Sequence, residues 1–130
     1  MIVVDASVLI TALADDGPDG ARARSRLHAA DLAAPELVDL EVASALRRQL
    51  ARQGLDERRA HRALGDLADL PMQRAPHRAL LARCWQLRDN LTIYDAAYVA
   101  LAEVLRVPLL TADMRLANAP GVRCTIEVLS

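Results

Sequence analysis

The sequence predicts an α/β domain of three layers, in which helices cover both faces of a mainly parallel sheet. The first observation is the apolar run Ile2–Val4, which shows no alternation and must therefore be buried on both faces. The second is the alternation of strands and helices along the 130 residues. The third is a composition of 53% hydrophobic but only 2% aromatic residues, which favours helices packed closely through alanine. We expect residues 1–130 to form one domain.

The first half of the chain contains one strong helix signal and several weaker ones. Ala6–Ala14 is predicted to be a short helix, which ends at the Gly-, Pro- and Asp-rich loop Asp15–Gly20. A second short helix is expected over Ala21–Ala30 and a weak strand over Asp31–Ala34. Pro35–Gln53 has the clearest helix limits, because proline suits the first helical position and a glycine follows the end.

The second half is predicted to continue with the helix 56–70, strand 71–75, helix 76–89, helix 92–105, strand 107–111 and strand 122–128. Asp56 can cap the first of these helices, whose apolar residues share one face. Pro108 lies near a strand start, where its missing N–H donor is tolerated.

Charge and cysteine content exclude several classes of function. The net charge of -1 gives no global attraction to nucleic acid or anionic membrane, and all 16 basic residues are arginine. Cys84 and Cys124 are far apart and form no CxxC pair, which fits neither a zinc cluster nor a disulfide framework. We find no secretory signal and no membrane-spanning stretch, so we expect a reduced, cytoplasmic protein.

Two acids directly follow predicted strands. Asp5 comes after the first strand, and Asp113 lies two residues after the strand 107–111. In open α/β sheets the chemistry lies at the carboxyl ends of the strands, so both positions favour a functional site. Each residue could equally cap the helix that follows it.

Two further acids lie on predicted helices. Glu41 has apolar neighbours at helical spacing, so its carboxylate requires a cation, a metal or a hydrogen-bond donor. Asp39 competes with it, but the helix dipole already explains an acid in the opening turns. Asp95 completes a capping box with Thr92, yet the helix that it opens is apolar on nearly all sides and should be buried.

Taken together, the four acids can converge on one edge of the sheet. Several like charges would repel there unless a divalent cation neutralised them. Oxygen-only ligands suit Mg²⁺ or Mn²⁺, which bind few protein carboxylates and retain water and phosphate ligands. The predicted acidic set is Asp5, Glu41, Asp95 and Asp113.

Four ordered segments resemble the motif blocks of PIN-domain ribonucleases, and most closely the VapC toxins of VapBC toxin-antitoxin modules. They are DASVL at 5–9, PELVDLEVASALRR at 35–48, TIYDAAYVALAE at 92–103 and LLTADMRLA at 109–117. The resemblance implies a PIN-like fold and cleavage of RNA phosphodiester bonds with Mg²⁺ or Mn²⁺. It also implies inhibition of translation or growth by the free toxin, a cognate VapB-type antitoxin that blocks the acidic pocket, and a toxin homodimer.

Residue roles follow from this resemblance. We expect Asp5 and Asp95 to bind the metal directly or nearly so, while Glu41 and Asp113 complete the site directly or through waters. The resemblance also implies two hydroxyl groups beside the acids, those of Ser7 and Thr111. They would orient water or the carboxylates, or they would only form hydrogen bonds within turns.

Arginines and apolar side chains supply the candidate contacts to partners. Arg115 is close enough to Asp113 to reach a substrate phosphate, and two basic helix faces are expected, Arg47/Arg48/Arg52 and Arg58/Arg59/Arg62. Only Trp85, Tyr94 and Tyr98 could stack on bases, and the two tyrosines look like core residues, so RNA recognition would rely on shape and backbone. The candidate protein-binding residues are Leu9, Ile10, Leu13, Leu46 and Leu50, most of which also suit the core.

Two other functions compete with RNA cleavage. A receiver-like phosphoacceptor domain also places acids at strand ends, but it needs a lysine, and the sequence contains none. A non-catalytic PIN-fold module that binds RNA or protein is the stronger alternative. Four intact acids favour the nuclease.

Overall fold

The computed structural model describes residues 1–129 and contains a five-stranded, entirely parallel sheet. The strands are β1 (Ile2–Val4), β2 (Leu32–Pro35), β3 (Gln73–Ala75), β4 (Leu109–Thr111) and β5 (Ile126–Val128). Their spatial order is β3-β2-β1-β4-β5. The three central strands are buried throughout, whereas β3 and β5 form the partly exposed edges. The α/β/α prediction is therefore confirmed.

Seven helices connect the strands within the described residues. They are α1 (Ala6–Ala14), α2 (Pro18–His28), α3 (Val38–Ala51), α4 (Glu57–Asp69), α5 (Leu81–Gln86), α6 (Ile93–Leu105) and α7 (Met114–Ala117), with a 3₁₀ turn at Arg78–Leu80 before α5. Helix α1 packs against α2, α3 and α4, while α6 packs against α5 and the central strands. Right-handed crossovers place these two groups on opposite faces of the sheet.

The strand order creates a topological switch point between β1 and β4. From β1 the chain moves to β2 and β3 on one side, and after β3 it crosses to β4 and β5 on the other. Such a reversal opens a crevice beyond the carboxyl ends of the two central strands. Asp5 and Asp113 follow these strand ends.

One hydrophobic cluster fills the space between the layers, and it is built from small and branched side chains. Helix α6 contributes a continuous buried run from Ala96 to Ala102, which includes the fully buried Tyr98. Cys84 and Cys124 are free thiols. Within residues 1–129, no helix combines the length and apolarity that a membrane crossing requires.

Three of the predicted helices, over 35–53, 76–89 and 21–30, have limits that differ from those of the structure. Pro35 ends β2 rather than starting a helix: it pairs with Ala75 of β3, and the next N–H, of Glu36, donates to the Ala75 carbonyl at 2.9 Å. Proline fits both positions because its φ suits either and its missing N–H is not needed in either. Helix α3 therefore begins at Val38. The predicted helix 76–89 is a 3₁₀ turn followed by the six-residue α5.

Helix α2 begins at Pro18, within the predicted loop 15–20. Gly20 lies inside this helix, and no larger residue fits there, because a Cβ atom would approach the Asp15 carbonyl oxygen to 1.8 Å. The glycine thus permits close contact with the preceding segment rather than a turn.

Candidate active site

All four predicted acids line one cavity of about 280 Å³ at the carboxyl edge of the sheet. Asp5 and Asp113 follow β1 and β4, whereas Glu41 and Asp95 lie in the first turns of α3 and α6. The remaining lining residues are Ala6, Ser7, Ile10, Ser44 and Arg48. Four separate elements therefore bring carboxylates to the switch point.

Asp5 is the most buried of the acids, with 7% of its surface exposed. Its Oδ2 accepts hydrogen bonds from the Thr111 hydroxyl at 2.7 Å and the Ser7 hydroxyl at 2.9 Å. Asp5 occupies the N-cap position of α1, yet its side chain makes no capping bond. The helix-cap interpretation is therefore wrong for this residue.

Ser7 and Thr111 connect Asp5 to the segment that follows β4. The Thr111 hydroxyl also accepts from the Asp113 N–H at 3.0 Å, and the Ser7 hydroxyl accepts from the Ala112 N–H at 3.1 Å. Each hydroxyl thus donates to Asp5 and accepts from the backbone. This arrangement fixes Asp5 Oδ2 while directing none of these donors at Oδ1.

Glu41 meets the donor that its apolar surroundings require. The Tyr98 hydroxyl donates to Glu41 Oε1 at 2.5 Å. Burial, together with the charges of Asp5 and Asp95, raises the pKa of Glu41, and the Tyr98 hydrogen bond opposes this rise. Burial and the contact with Glu41 raise the pKa of Tyr98, so its hydroxyl stays protonated and serves as the donor of this hydrogen bond.

The role of Tyr98 was missed in the sequence, where only its place in the core was predicted. That place is correct, since the residue is 0% exposed. A buried tyrosine hydroxyl nearly always has a hydrogen-bond partner. The sequence could have indicated this pair, because Glu41 is an acid among apolar neighbours that needs a donor, and Tyr98 is a donor in a predicted buried helix.

Asp95 takes part in the predicted helix cap and also faces the cavity. The Thr92 hydroxyl accepts from the Asp95 N–H at 3.1 Å. Burial and the charges of Asp5 and Asp113 raise the pKa of the Asp95 carboxyl group. The Thr92 side chain, through hydrogen bonding to that carboxyl group, and the charge of Arg115 oppose this rise. The structural and functional interpretations of this residue are therefore compatible.

Asp113 caps α7 and binds Arg115. Its carboxylate accepts from the Arg115 backbone N–H at 2.9 Å and from the guanidinium at 3.0 and 3.2 Å. The hydrogen bond with Arg115 lowers the pKa of Asp113. The Arg115 side chain is 91% exposed, so this ion pair is largely solvated and weak.

The donor set fits a hard divalent cation, although no cage is preformed. Within residues 1–129, no three Asp, Glu, His or Cys side chains are arranged to hold a metal ion. Mg²⁺ commonly takes only one or two carboxylates and completes its shell with water and substrate phosphate. Burial, and after it the charges of neighbouring acids, raise the pKa of Glu41 and Asp95, and a bound cation would stabilise both carboxylates in their charged form.

Other sequence candidates lie outside this site. Asp39 binds Arg74 of β3 at 2.8 Å, and Arg59 binds Asp16 at 3.0 Å, so both pairs have structural roles. Tyr94 was predicted to be core but is 64% exposed.

The candidate protein-binding side chains divide into two groups. Leu9 and Leu46 are buried in the core and are unavailable to a partner, while Ile10, Leu13 and Leu50 are half-buried.

A larger cavity, of about 840 Å³, lies near the amino ends of β1, β2 and β3, away from the four acids. Its lining is mainly apolar and includes Leu9, Leu27 and Met72. Cavity size alone therefore does not select the candidate active site, which we choose from the converging carboxylates.

Comparison with known proteins identifies the family. The PIN domain family matches residues 2–122. The chain is 46% identical to ribonuclease VapC1 of Mycobacterium tuberculosis, over 98% of this chain and 96% of that protein. It is 45% identical to ribonuclease VapC9 of the same species, over 99% and 98%. VapBC2 from Rickettsia felis, solved bound to a DNA fragment from its promoter, shares the fold with a TM-score of 0.71, 13% identity and full coverage of both chains. The chain therefore belongs to the PIN-domain family and, within it, to the VapC ribonucleases.

Proposed function

We propose that this protein is a metal-dependent endoribonuclease and the toxin of a VapBC toxin-antitoxin module. The observation that carries the proposal is the convergence of four carboxylates from four elements on one cavity at the topological switch point. The ribonuclease names of relatives at 45–46% identity support the same chemistry.

Asp5 and Asp95 would hold Mg²⁺ or Mn²⁺, with Glu41 and Asp113 completing the site directly or through water. When bound, the cation supplies Lewis-acid stabilisation of the negative charge that develops on the phosphate during hydrolysis.

The chain's own residues orient this acidic set. Ser7 and Thr111 fix one oxygen of Asp5 and leave the other for binding. Tyr98 holds Glu41, whose burial and neighbouring charges favour binding of a cation. Such supporting hydrogen bonds tune ligand orientation and basicity.

The proposed partners are RNA, a cognate VapB-type antitoxin and a second copy of the toxin. The VapBC complex from Rickettsia felis supports the antitoxin proposal. The free protein would cleave RNA and thereby inhibit translation or growth, and the antitoxin would prevent this by covering the acidic cavity.

Metal titration with a pool of structured RNA tests the proposal. We expect shortened RNA with Mg²⁺ or Mn²⁺, no cleavage in chelator, and loss of cleavage in the folded Asp5→Asn variant. RNA that is retained but never shortened at any metal concentration would instead identify a non-catalytic binding module. Cleavage by Asp5→Asn at the parent rate would remove the assigned site.

A further inference from the structure

The acidic cavity has one basic side chain in its lining, that of Arg48 on α3. Glu41, Ser44 and Arg48 are spaced three and four residues apart, so they share one face of the helix. This face of α3 lines one side of the cavity, from Glu41 among the acids to Arg48 about two turns further along the helix.

The guanidinium of Arg48 leans back toward the acids. Its Nη1 donates to the Ser44 hydroxyl at 3.1 Å, one turn along the helix. Helical side chains tilt toward the N-terminus, so Arg48 is aimed at the Glu41 end of α3. Four of its five N–H donors are not used by Ser44.

Arg48 also differs from the arginines that have structural partners. In the described part of the chain, ion pairs engage six arginines: Arg22, Arg26, Arg59, Arg74, Arg83 and Arg115. Arg48 is exposed and forms no ion pair among residues 1–129. Arg115, the other cation near the acids, is already paired with Asp113.

We propose that Arg48 forms a phosphate-binding subsite, which holds a backbone phosphate of the RNA substrate next to the scissile one. Ser44, to which the guanidinium donates, follows Glu41 by three residues, a rise of about 4.5 Å along the helix axis. The guanidinium is thus displaced along α3 from Glu41, and we place the phosphate that it binds beside the scissile one. The guanidinium group of arginine is planar and permanently charged, so it can form two hydrogen bonds to a phosphate and offset the repulsion between the RNA and the carboxylates.

This inference rests on the proposed ribonuclease function, and Arg47 supplies a matched control. The sequence grouped Arg47 with Arg48 on one basic face, but the structure separates them: Arg47 is exposed on the same helix and is absent from the cavity lining, so it has no place in the proposed site. Arg47→Gln and Arg48→Gln change the net charge equally, so any difference between them reports a local contact.

Cleavage kinetics of a short single-stranded RNA provide the first measurement. We expect Arg48→Gln to raise KM about tenfold with kcat within about twofold of the parent, as loss of one charge-assisted contact implies. Arg47→Gln should leave both parameters within about twofold. Equal effects of the two variants, or a fall in kcat alone for Arg48→Gln, would overturn the proposal.

Binding measurements separate failure of the subsite from failure of the nuclease function. A fluorescent single-stranded RNA of 12 nucleotides is titrated into the Asp5→Asn protein, with and without the additional Arg48→Gln substitution, at several salt concentrations. We expect Arg48→Gln to weaken binding and to reduce the slope of log K against log salt by about 0.7, the value for one single-strand phosphate contact. An unchanged slope contradicts the subsite, whether or not the parent cleaves RNA.

Discussion

At Asp5, hydrogen bonding distinguishes the two oxygens of one carboxylate, and we propose that the one without these donors, Oδ1, binds the metal. Thr111 and Ser7 both donate to Oδ2, and Thr111 is itself fully buried. The position of Asp5 beyond an apolar strand predicted its place at the sheet edge, but only the set of four acids favoured a functional site over a helix cap. The hydroxyls were predicted only from the family motif, because their donors and acceptors belong to segments that meet only in the folded chain.

Replacing Thr111 with Val tests this division, since valine keeps the shape but removes the hydroxyl. We expect RNA cleavage to fall about 10- to 100-fold, as is usual for groups that orient metal ligands. The measurement is kcat/KM over a series of Mg²⁺ concentrations. Thr125→Val, at an exposed position, is the control. Cleavage by Thr111→Val within twofold of that control would contradict the role.

Glu41 is held in an unfavourable electrostatic environment, because burial and two neighbouring acids raise its pKa. Removing its charge should therefore stabilise the metal-free fold. We expect Glu41→Gln to raise the Tm in chelator at pH 7 and to reduce the further rise that Mg²⁺ or Mn²⁺ gives the parent.

Asp39→Asn is the matched control for this experiment, because it removes an acid from the same helix. Asp39 binds Arg74, so its loss should lower the Tm in chelator. If both substitutions lowered the Tm equally, Glu41 would not be under the strain inferred from its surroundings.

At the scale of elements, helix starts determine where two of the acids lie. Asp95 is carried in the first turn of α6, whose N-cap Thr92 bonds the Asp95 N–H. This start was predictable from a local sequence pattern. The start of α3 was not, because Pro35 satisfies both strand and helix signals and only pairing with β3 decides between them.

Thr92→Ala removes the cap and should lower the free energy of unfolding by about 1 kcal/mol. Urea denaturation in chelator measures this change. Ser25→Ala, an exposed position in the middle of α2, should change the same quantity by less than about 0.5 kcal/mol. Equal changes in the two variants would show that the capping bond adds no stability.

At the scale of the whole molecule, the sequence predicted the layers and the parallel sheet, but the strand order required the structure. The order β3-β2-β1-β4-β5 depends on which crossover lies on which face, and that is a tertiary property. The order explains why Asp5 and Asp113, 108 positions apart, share one cavity.

A partly buried ion pair joins distant parts of this architecture. Glu103 of α6 accepts from Arg83 of α5 at 2.7 Å and from the Arg123 N–H at 2.8 Å, while Arg83 also donates to the Gly121 carbonyl. Burial alone would raise the pKa of Glu103, but the bonds from Arg83 and Arg123 lower it below its usual value. The stability that this pair contributes is thus present above pH 4.5 and is lost as the pH falls below that value.

Glu103→Gln should therefore lower the free energy of unfolding by about 1–3 kcal/mol at pH 7, and the deficit should shrink at about pH 3.5. Urea denaturation at both values measures it, with the exposed Glu57→Gln as control. A deficit that stays constant between the two pH values would contradict a role for the Glu103 charge.

The central claim is that the acids at the switch point cleave RNA, and sequencing of newly formed RNA 5′ ends after brief expression in a host tests it most directly. The parent and Asp5→Asn are compared at equal levels of folded protein. We predict new 5′ ends at discrete sites with the parent and none with the variant. The same set of new ends in both samples, or none in either, would contradict the claim.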